Sequence, residues 1–193
     1  MKIAIVKYNA GNVCSVDFAL QRMGVIASIT ANAEEILSAD KVIFPGVGSA
    51  NAAMQYLADK RLDKVIKQLQ QPVLGICLGM QLLCDYSEEG DTPCLGIFKQ
   101  RVRKFSSAVK VPQVGWNTIS ALNTPLFKNI NEEAYMYFVH SYYVEKNEYT
   151  IAETEYDTIY SAAMQKDNFY AVQFHPEKSG EIGQKVLENF IQL

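Results

Sequence analysis

Apolar and polar positions along this chain follow two rhythms. In the first half, short apolar runs alternate with segments whose apolar residues recur every three or four positions. Lys2 to Lys7 reads as a strand, and Val13, Val16, Leu20 and Met23 then fall at helical spacing until Gly24 closes the helix. Val25 to Ile29 is a second strand, followed by a short helix near Ala33 to Leu37, and Lys41 to Phe44 is a third strand. Helices are expected over Ala50 to Ala58 and Leu62 to Leu69. A fourth strand follows at Val73 to Ile76, then a helix from Leu78 to about Tyr86. Strands separated by helices predict a mostly parallel sheet covered on both faces, an α/β fold. From Leu95 onward the helical period fades. Tyr135 to Val139, Thr150 to Thr154, Ile159 to Met164 and Phe169 to Phe174 read as strands, a mainly antiparallel addition to the same domain. Ile182, Val186 and Phe190 mark one face of a terminal helix. No internal repeat or linker interrupts the pattern, so one domain over residues 1–193 is expected.

Composition narrows the classes. The chain has 193 residues, 49% hydrophobic and 20% charged, enough for one substantial core. A formal charge of −3 without a basic run leaves nucleic acid no electrostatic footprint. No apolar stretch is long enough to span a bilayer, and the opening residues are too soon broken for a signal peptide. The four cysteines, Cys14, Cys77, Cys84 and Cys94, form no CxxC pair and no zinc spacing. Free thiols suit a reducing cytoplasm. Cys14 and Cys84 are expected as buried, inert thiols on apolar helical faces, and Cys94 lies in a turn-rich stretch with no role assigned. With only two histidines and no acidic or cysteine cluster beside them, neither a metal site nor a cofactor is expected.

Chemistry concentrates at Gly75-Ile76-Cys77-Leu78-Gly79. An apolar strand feeds a tight glycine-flanked turn that opens a helix, the layout of a nucleophile elbow with Cys in place of Ser. The partial positive charge of a helix N-terminus there favours a thiolate. Far along the chain, Phe174-His175-Pro176-Glu177 follows a strand. Pro176 pushes His175 toward an extended conformation, in which residues i and i+2 point the same way, so Glu177 can orient the His175 ring. Cys77, His175 and Glu177 then form a triad defined by role. Pro45-Gly46-Val47-Gly48 follows the third strand, where backbone N–H groups could receive an oxyanion; a plain tight turn is the alternative. Asn9-Ala10-Gly11-Asn12 lacks a dinucleotide fingerprint and reads as a strand-to-helix turn with Asn12 as the cap. His140 could rival His175 as base, but nothing orients it locally, and a structural or interface role is favoured.

These motifs resemble the class I, triad-type glutamine amidotransferases, a flavodoxin-like family. Gly75-Ile76-Cys77-Leu78-Gly79-Met80-Gln81 and Phe174-His175-Pro176-Glu177 match its two signatures. Pro45-Gly46-Val47-Gly48, Val114-Gly115-Trp116-Asn117, Tyr137-Phe138-Val139-His140-Ser141-Tyr142 and His175-Pro176-Glu177-Lys178-Ser179-Gly180 narrow the resemblance to the subfamily of glutaminase subunits of imidazole glycerol phosphate synthase. The resemblance implies hydrolysis of glutamine and delivery of ammonia to a separate cyclase subunit, a (β/α)8 barrel in histidine biosynthesis, as a heterodimer. It implies Cys77 as nucleophile, His175 as acid and base, and Glu177 as orienter. Val47 and Gly48 would be oxyanion donors. Gly46, Gln81, Glu89, Ser141 and Tyr142 would be glutamine contacts, and Asn12, Trp116, Tyr137 and Lys178 would lie near the docking face. Lys7 and Gln113 depart from the family's frequent acid and histidine at those positions, which bears on the docking face. Three other readings stay open from sequence: an ammonia source for a different synthase such as one making a modified sugar, a catalytically silent binding module, and a cysteine peptidase.

Overall fold

The computed structural model describes residues 1–9 and 11–193; residue 10, within the turn read over Asn9 to Asn12, lies outside the described residues. Its elements run β1 Ile3–Val6, α1 Val13–Arg22, β2 Ala27–Thr30, α2 Ala33–Leu37, β3 Lys41–Gly46, α3 Ala50–Asp59, α4 Leu62–Lys67, β4 Val73–Cys77 and α5 Leu78–Leu83. They continue with β5 Tyr86–Ser87, β6 Thr92–Pro93, β7 Arg101–Lys104, β8 Gln113–Ile119, β9 Ala134–His140, β10 Tyr142–Val144, β11 Thr150–Tyr156, β12 Thr158–Lys166, β13 Phe169–Val172 and α6 Gly180–Gln192.

The main sheet has the order β11-β12-β13-β4-β3-β1-β2. Its β2-β1-β3-β4-β13 part is parallel. Read by position, that is the 2-1-3-4-5 order of flavodoxin-like folds. β12 and β11 extend it antiparallel. The remaining strands form a two-stranded antiparallel ribbon, β8 with β9, and a four-stranded sheet β10-β7-β5-β6. The strands bury both faces because alternate residues feed two cores: Ala4 and Val6 pack with α2 to α5, whereas Ile3 and Ile5 pack with α1 and α6. Among the described residues, no helix is long and apolar enough to cross a membrane.

Three local expectations change. The helix after Cys77 ends at Leu83 rather than near Tyr86, and buried Cys84 is extended at its C-cap, not on a helical face. The returning chain explains this: Leu95 N–H donates to Leu82 O at 2.9 Å and Ile97 N–H to Leu83 O at 2.9 Å, capturing carbonyls that a helix end leaves free. Cys14 is exposed, because α1 buries Val16, Ala19 and Leu20, and a residue two positions before Val16 faces away. On α6 the buried stripe is Gly183, Val186, Leu187, Asn189 and Phe190, and Ile182 lies partly exposed at its edge.

The glycines flanking Cys77 are needed for close packing. A Cβ on Gly79 would collide with the Phe44 carbonyl, and one on Gly75 would lie 2.7 Å from Leu83 Cδ1. α5 therefore lies directly on β3 and β4. Gly79→Ala is expected to lower unfolding stability by about 1–3 kcal/mol, as overpacking against an immobile backbone does. A denaturant midpoint equal to the parent's would show that the elbow has slack.

Candidate active site

β13, β4 and β3 are neighbours, and their carboxyl ends release His175, Cys77 and the Pro45-Gly46-Val47-Gly48 turn at one edge of the sheet. Crevices of this kind are where open α/β sheets place their chemistry. Gly46 stands opposite Cys77 in the β3–β4 register, so turn and thiol are brought side by side by strand pairing. Cys77 has φ 54° and ψ −109°, a sparsely populated region for a residue with a Cβ. Such strain costs about 1–3 kcal/mol and is held by the surrounding packing. It turns the buried thiol out of the strand at the start of α5.

The Cys77 thiol donates to the Val139 carbonyl at 3.6 Å, and Gln173 Nε2 donates to Sγ at 3.7 Å. His175 Nδ1 lies 2.7 Å from Glu177 Oε1, with both side chains buried. Burial alone depresses the imidazolium, but hydrogen bonding and charge from Cys77 and Glu177 outweigh it and raise the His175 pKa to about 10. With a carboxylate on Nδ1 and Cys77 close enough to act on its charge, the imidazole can exchange protons with the nucleophile.

The route by which Glu177 reaches His175 differs from the expected one. His175 is extended, at φ −101° and ψ 93°, but Pro176 to Lys178 form a 3-10 turn. The turn, rather than an i, i+2 strand alternation, folds the carboxylate back onto the ring. Ser179 locks it: its Oγ donates to His175 O at 2.6 Å and accepts from Tyr137 N–H at 2.9 Å, while His175 N–H donates to Tyr137 O at 2.9 Å.

A cavity of about 230 Å³ opens beside Cys77, lined in part by Val47, Gly48, Gln81, Glu89, Ser141 and Tyr142. Gly48 has φ +113°, which suits glycine alone among common residues. Gln81 is buried and its Nε2 donates to Tyr142 O and Gln173 Oε1, each at 2.9 Å. The Glu89 carboxylate accepts from Ala50 N–H at 2.8 Å, at the start of α3. Gly46 does not line the cavity: its Cα faces the Tyr8 hydroxyl and Leu78.

Trp116 and Lys178 are exposed, and Trp116 meets half-buried Tyr137 edge-on at 5.8 Å. Val114 and Tyr135 are exposed on the same ribbon, two residues from Trp116 and Tyr137 respectively. Period-two alternation along β8 and β9 is the signal that would have added them. Gln173 and Ser179 were also missed, since neither is a reactive residue type, although a glutamine within an otherwise apolar strand marks an interior polar contact.

Two assignments are corrected. Asn12 occupies the N-cap position of α1 but at φ 78° and without a side-chain cap, in contrast to Asn32, which caps α2 in the expected way. Its Nδ2 donates instead to Glu177 Oε1. Gln113 does not bear on the docking face directly; it is buried opposite His140 and bonded to the Tyr160 hydroxyl at 2.8 Å. His140 takes the structural role favoured for it and is not poised as a base. Its Nδ1 lies 2.7 Å from Tyr142 O and its Nε2 3.1 Å from the Tyr160 hydroxyl. Burial lowers its pKa to about 4. A histidine that stays neutral when folded stabilises fully above its unfolded pKa near 6.5, and that stability is lost as pH falls toward 4. His140→Gln is therefore expected to flatten the stability profile between pH 6.5 and 5, where few carboxylates titrate. An unchanged slope by denaturant titration would remove His140 from this balance.

The model of the family described as glutamine amidotransferase class-I matches residues 9–193. The chain is 57% identical to imidazole glycerol phosphate synthase subunit HisH of Bacteroides fragilis strain YCH46, with 100% of each chain covered. It is 45% identical to the subunit of the same name from Haemophilus influenzae Rd, covering 100% of this chain and 98% of that one. A crystal structure of a glutamine amidotransferase shares the fold at TM-score 0.74 and 17% identity, covering 98% of this chain and 97% of that one. The structure of PurLQS from Thermotoga maritima does so at TM-score 0.72 and 17% identity, covering 99% and 97%. On the extent of the family match and the full-length relatives, the chain belongs to the class-I glutamine amidotransferases.

Proposed function

We propose that this chain is the glutaminase subunit of an imidazole glycerol phosphate synthase and acts as one domain over residues 1–193. The observation that carries the mechanism is the meeting of Cys77, the His175–Glu177 pair and the Val47–Gly48 turn at three adjacent strand ends, with Cys77, Val47 and Gly48 lining one cavity. Cys77 attacks the carboxamide carbon of glutamine as the thiolate, its proton held by His175, and the N–H groups of Val47 and Gly48 receive the oxyanion. The C–N bond breaks as His175 gives its proton to the leaving nitrogen, which departs as ammonia and leaves a γ-glutamyl thioester. His175 then takes a proton from water, the water oxygen attacks the thioester, and glutamate leaves as the thiol is restored. Glu177 holds the imidazolium through both halves. Gln81, Ser141 and Tyr142 offer polar contacts to the glutamine, and Glu89 supplies the negative charge suited to its α-ammonium. Gly46 acts indirectly, by leaving room for the Tyr8 hydroxyl and for Leu78 at the start of α5.

The exposed Trp116, with Tyr137 and Lys178 and with Asn12 beside the triad, forms the docking face for a cyclase subunit built as a (β/α)8 barrel. That partner uses the ammonia to make imidazole glycerol phosphate and aminoimidazole carboxamide ribotide in histidine biosynthesis. The heterodimer is placed in the cytoplasm, where its free thiols stay reduced. The glycine-rich turn is the control point, since a peptide flip there presents or withdraws an oxyanion donor. Glutamate release should be slow from the isolated subunit and rise strongly when cyclase and its ribotide are added. Gly48→Pro should remove roughly a hundred- to thousandfold of the stimulated rate, the worth of one such donor, while Cys77 still reacts with iodoacetamide. No glutamate release in any combination would reject the glutaminase reading, and full stimulation in a folded Gly48→Pro complex would reject the switch.

A further inference from the structure

The geometry points to Asn12 as a positioning residue of the triad: its side-chain amide donates to the Glu177 carboxylate oxygen that faces His175 and fixes that carboxylate in place. This inference rests on the glutaminase reading above. Asn12 and Glu177 are 165 residues apart, and nothing in either motif links them. Three observations join them.

The first is the bond from Asn12 Nδ2 to Glu177 Oε1, the same oxygen that lies 2.7 Å from His175 Nδ1. A carboxylate only accepts, so the amide must present its NH2 to it, and the orientation of the Asn12 amide follows from chemistry. With the Nδ1 proton given to Glu177, the 3.4 Å approach of Asn12 Nδ2 to His175 Nδ1 is a contact between two donors. The second is what Asn12 forgoes. It stands at the N-cap of α1, where an asparagine ordinarily accepts from the helix, and here it makes no side-chain cap bond. The left-handed backbone at φ 78°, uncommon for a residue with a side chain, accompanies an amide turned to the triad instead. The third is the poverty of other support. Among the described residues, Glu177 Oε2 is buried without a hydrogen-bond partner. Glu177 is thus held at one oxygen by two donors, the ring it must orient and Asn12. An orienting group cannot be oriented only by what it orients, so Asn12 supplies the independent reference.

The test uses Asn12→Gly and Asn12→Asp in the assembled synthase, with glutamate release read at saturating cyclase and ribotide. Glycine keeps the left-handed backbone without an amide. Aspartate keeps the shape and is a good N-cap, but offers an acceptor where Glu177 needs a donor. Both variants should lose roughly ten- to hundredfold in kcat, the range for a lost hydrogen bond to a charged group, with KM within about twofold. Alkylation of Cys77 by iodoacetamide in the isolated subunit, where docking plays no part, should slow in both. Parent-like kcat in Asn12→Asp would show that cap or shape suffices and overturn the proposal. So would a parent-like kcat that is merely reached at a higher cyclase concentration, with alkylation unchanged, which assigns Asn12 to docking alone. A parent without glutaminase activity would instead strike the reading beneath.

Discussion

Cys77→Ala is expected to abolish glutamine-dependent synthesis while leaving ammonium-dependent synthesis intact in the complex. The thiol is the nucleophile at the elbow, and among the described residues Ser141, which also lines the cavity, has no free base beside it, since the neighbouring His140 is tied to Tyr142 and Tyr160. Removing a nucleophile from a triad of this type lowers kcat by roughly a millionfold, which leaves only background. Alanine fits where the thiol was, so the fold and the docking face should persist. The two activities are read side by side, as product formed from glutamine or from high ammonium by the same complex. Substantial glutaminase turnover in Cys77→Ala would end the assignment of the nucleophile.

Glu177→Gln is the second large effect. The carboxylate helps hold His175 as an imidazolium up to about pH 10, through a hydrogen bond and through charge. An amide keeps the size but loses the charge, and it can turn its NH2 toward Nδ1 and impose the wrong tautomer. In a related triad the same acid-to-amide change lowers kcat on the order of 10⁴, and a loss of similar size is expected here. With the charge gone, the His175 pKa moves down, so the imidazolium that protonates the leaving nitrogen is lost from a lower pH onward. The basic limb of the pH–rate profile should shift to lower pH. Parent-like kcat at saturating glutamine, or an unmoved basic limb, would take Glu177 out of the mechanism.

The parts of this fold written in local pattern were legible in the sequence. β1 to β4 and α1 to α4 follow apolar spacing closely, because each buries one stripe or both faces against neighbours in the same sheet. The elbow was legible for a similar reason: Gly75 and Gly79 are forced by the approach of α5 to β3 and β4. What was illegible depends on chain segments meeting from far away. The end of α5 is set by carbonyl capture from residues 95–98, which no reading of the helix itself reveals. Asn12 looked like a cap because that is what its neighbours in sequence predict; its real partner is 165 residues distant. Gln113 looked like a surface departure, yet the β8–β9 register turns it inward against His140 and Tyr160. The apolar segment around Cys14 predicts burial, but only one face of α1 is covered and the thiol is exposed. The triad was foreseen by residue type, but the turn that pairs Glu177 with His175 was not, since Pro176 is compatible with an extended chain and with the first position of a 3-10 turn.

The central claim is that this chain makes ammonia from glutamine and passes it to a cyclase. The direct measurement is the nitrogen isotope content of the imidazole glycerol phosphate formed by the complex from amide-15N glutamine in the presence of excess unlabelled ammonium, at a pH where free ammonia is scarce. The account predicts that the product carries the 15N label, and that Cys77→Ala abolishes its incorporation. Product bearing only unlabelled nitrogen, with the parent chain present and folded in the complex, would contradict it.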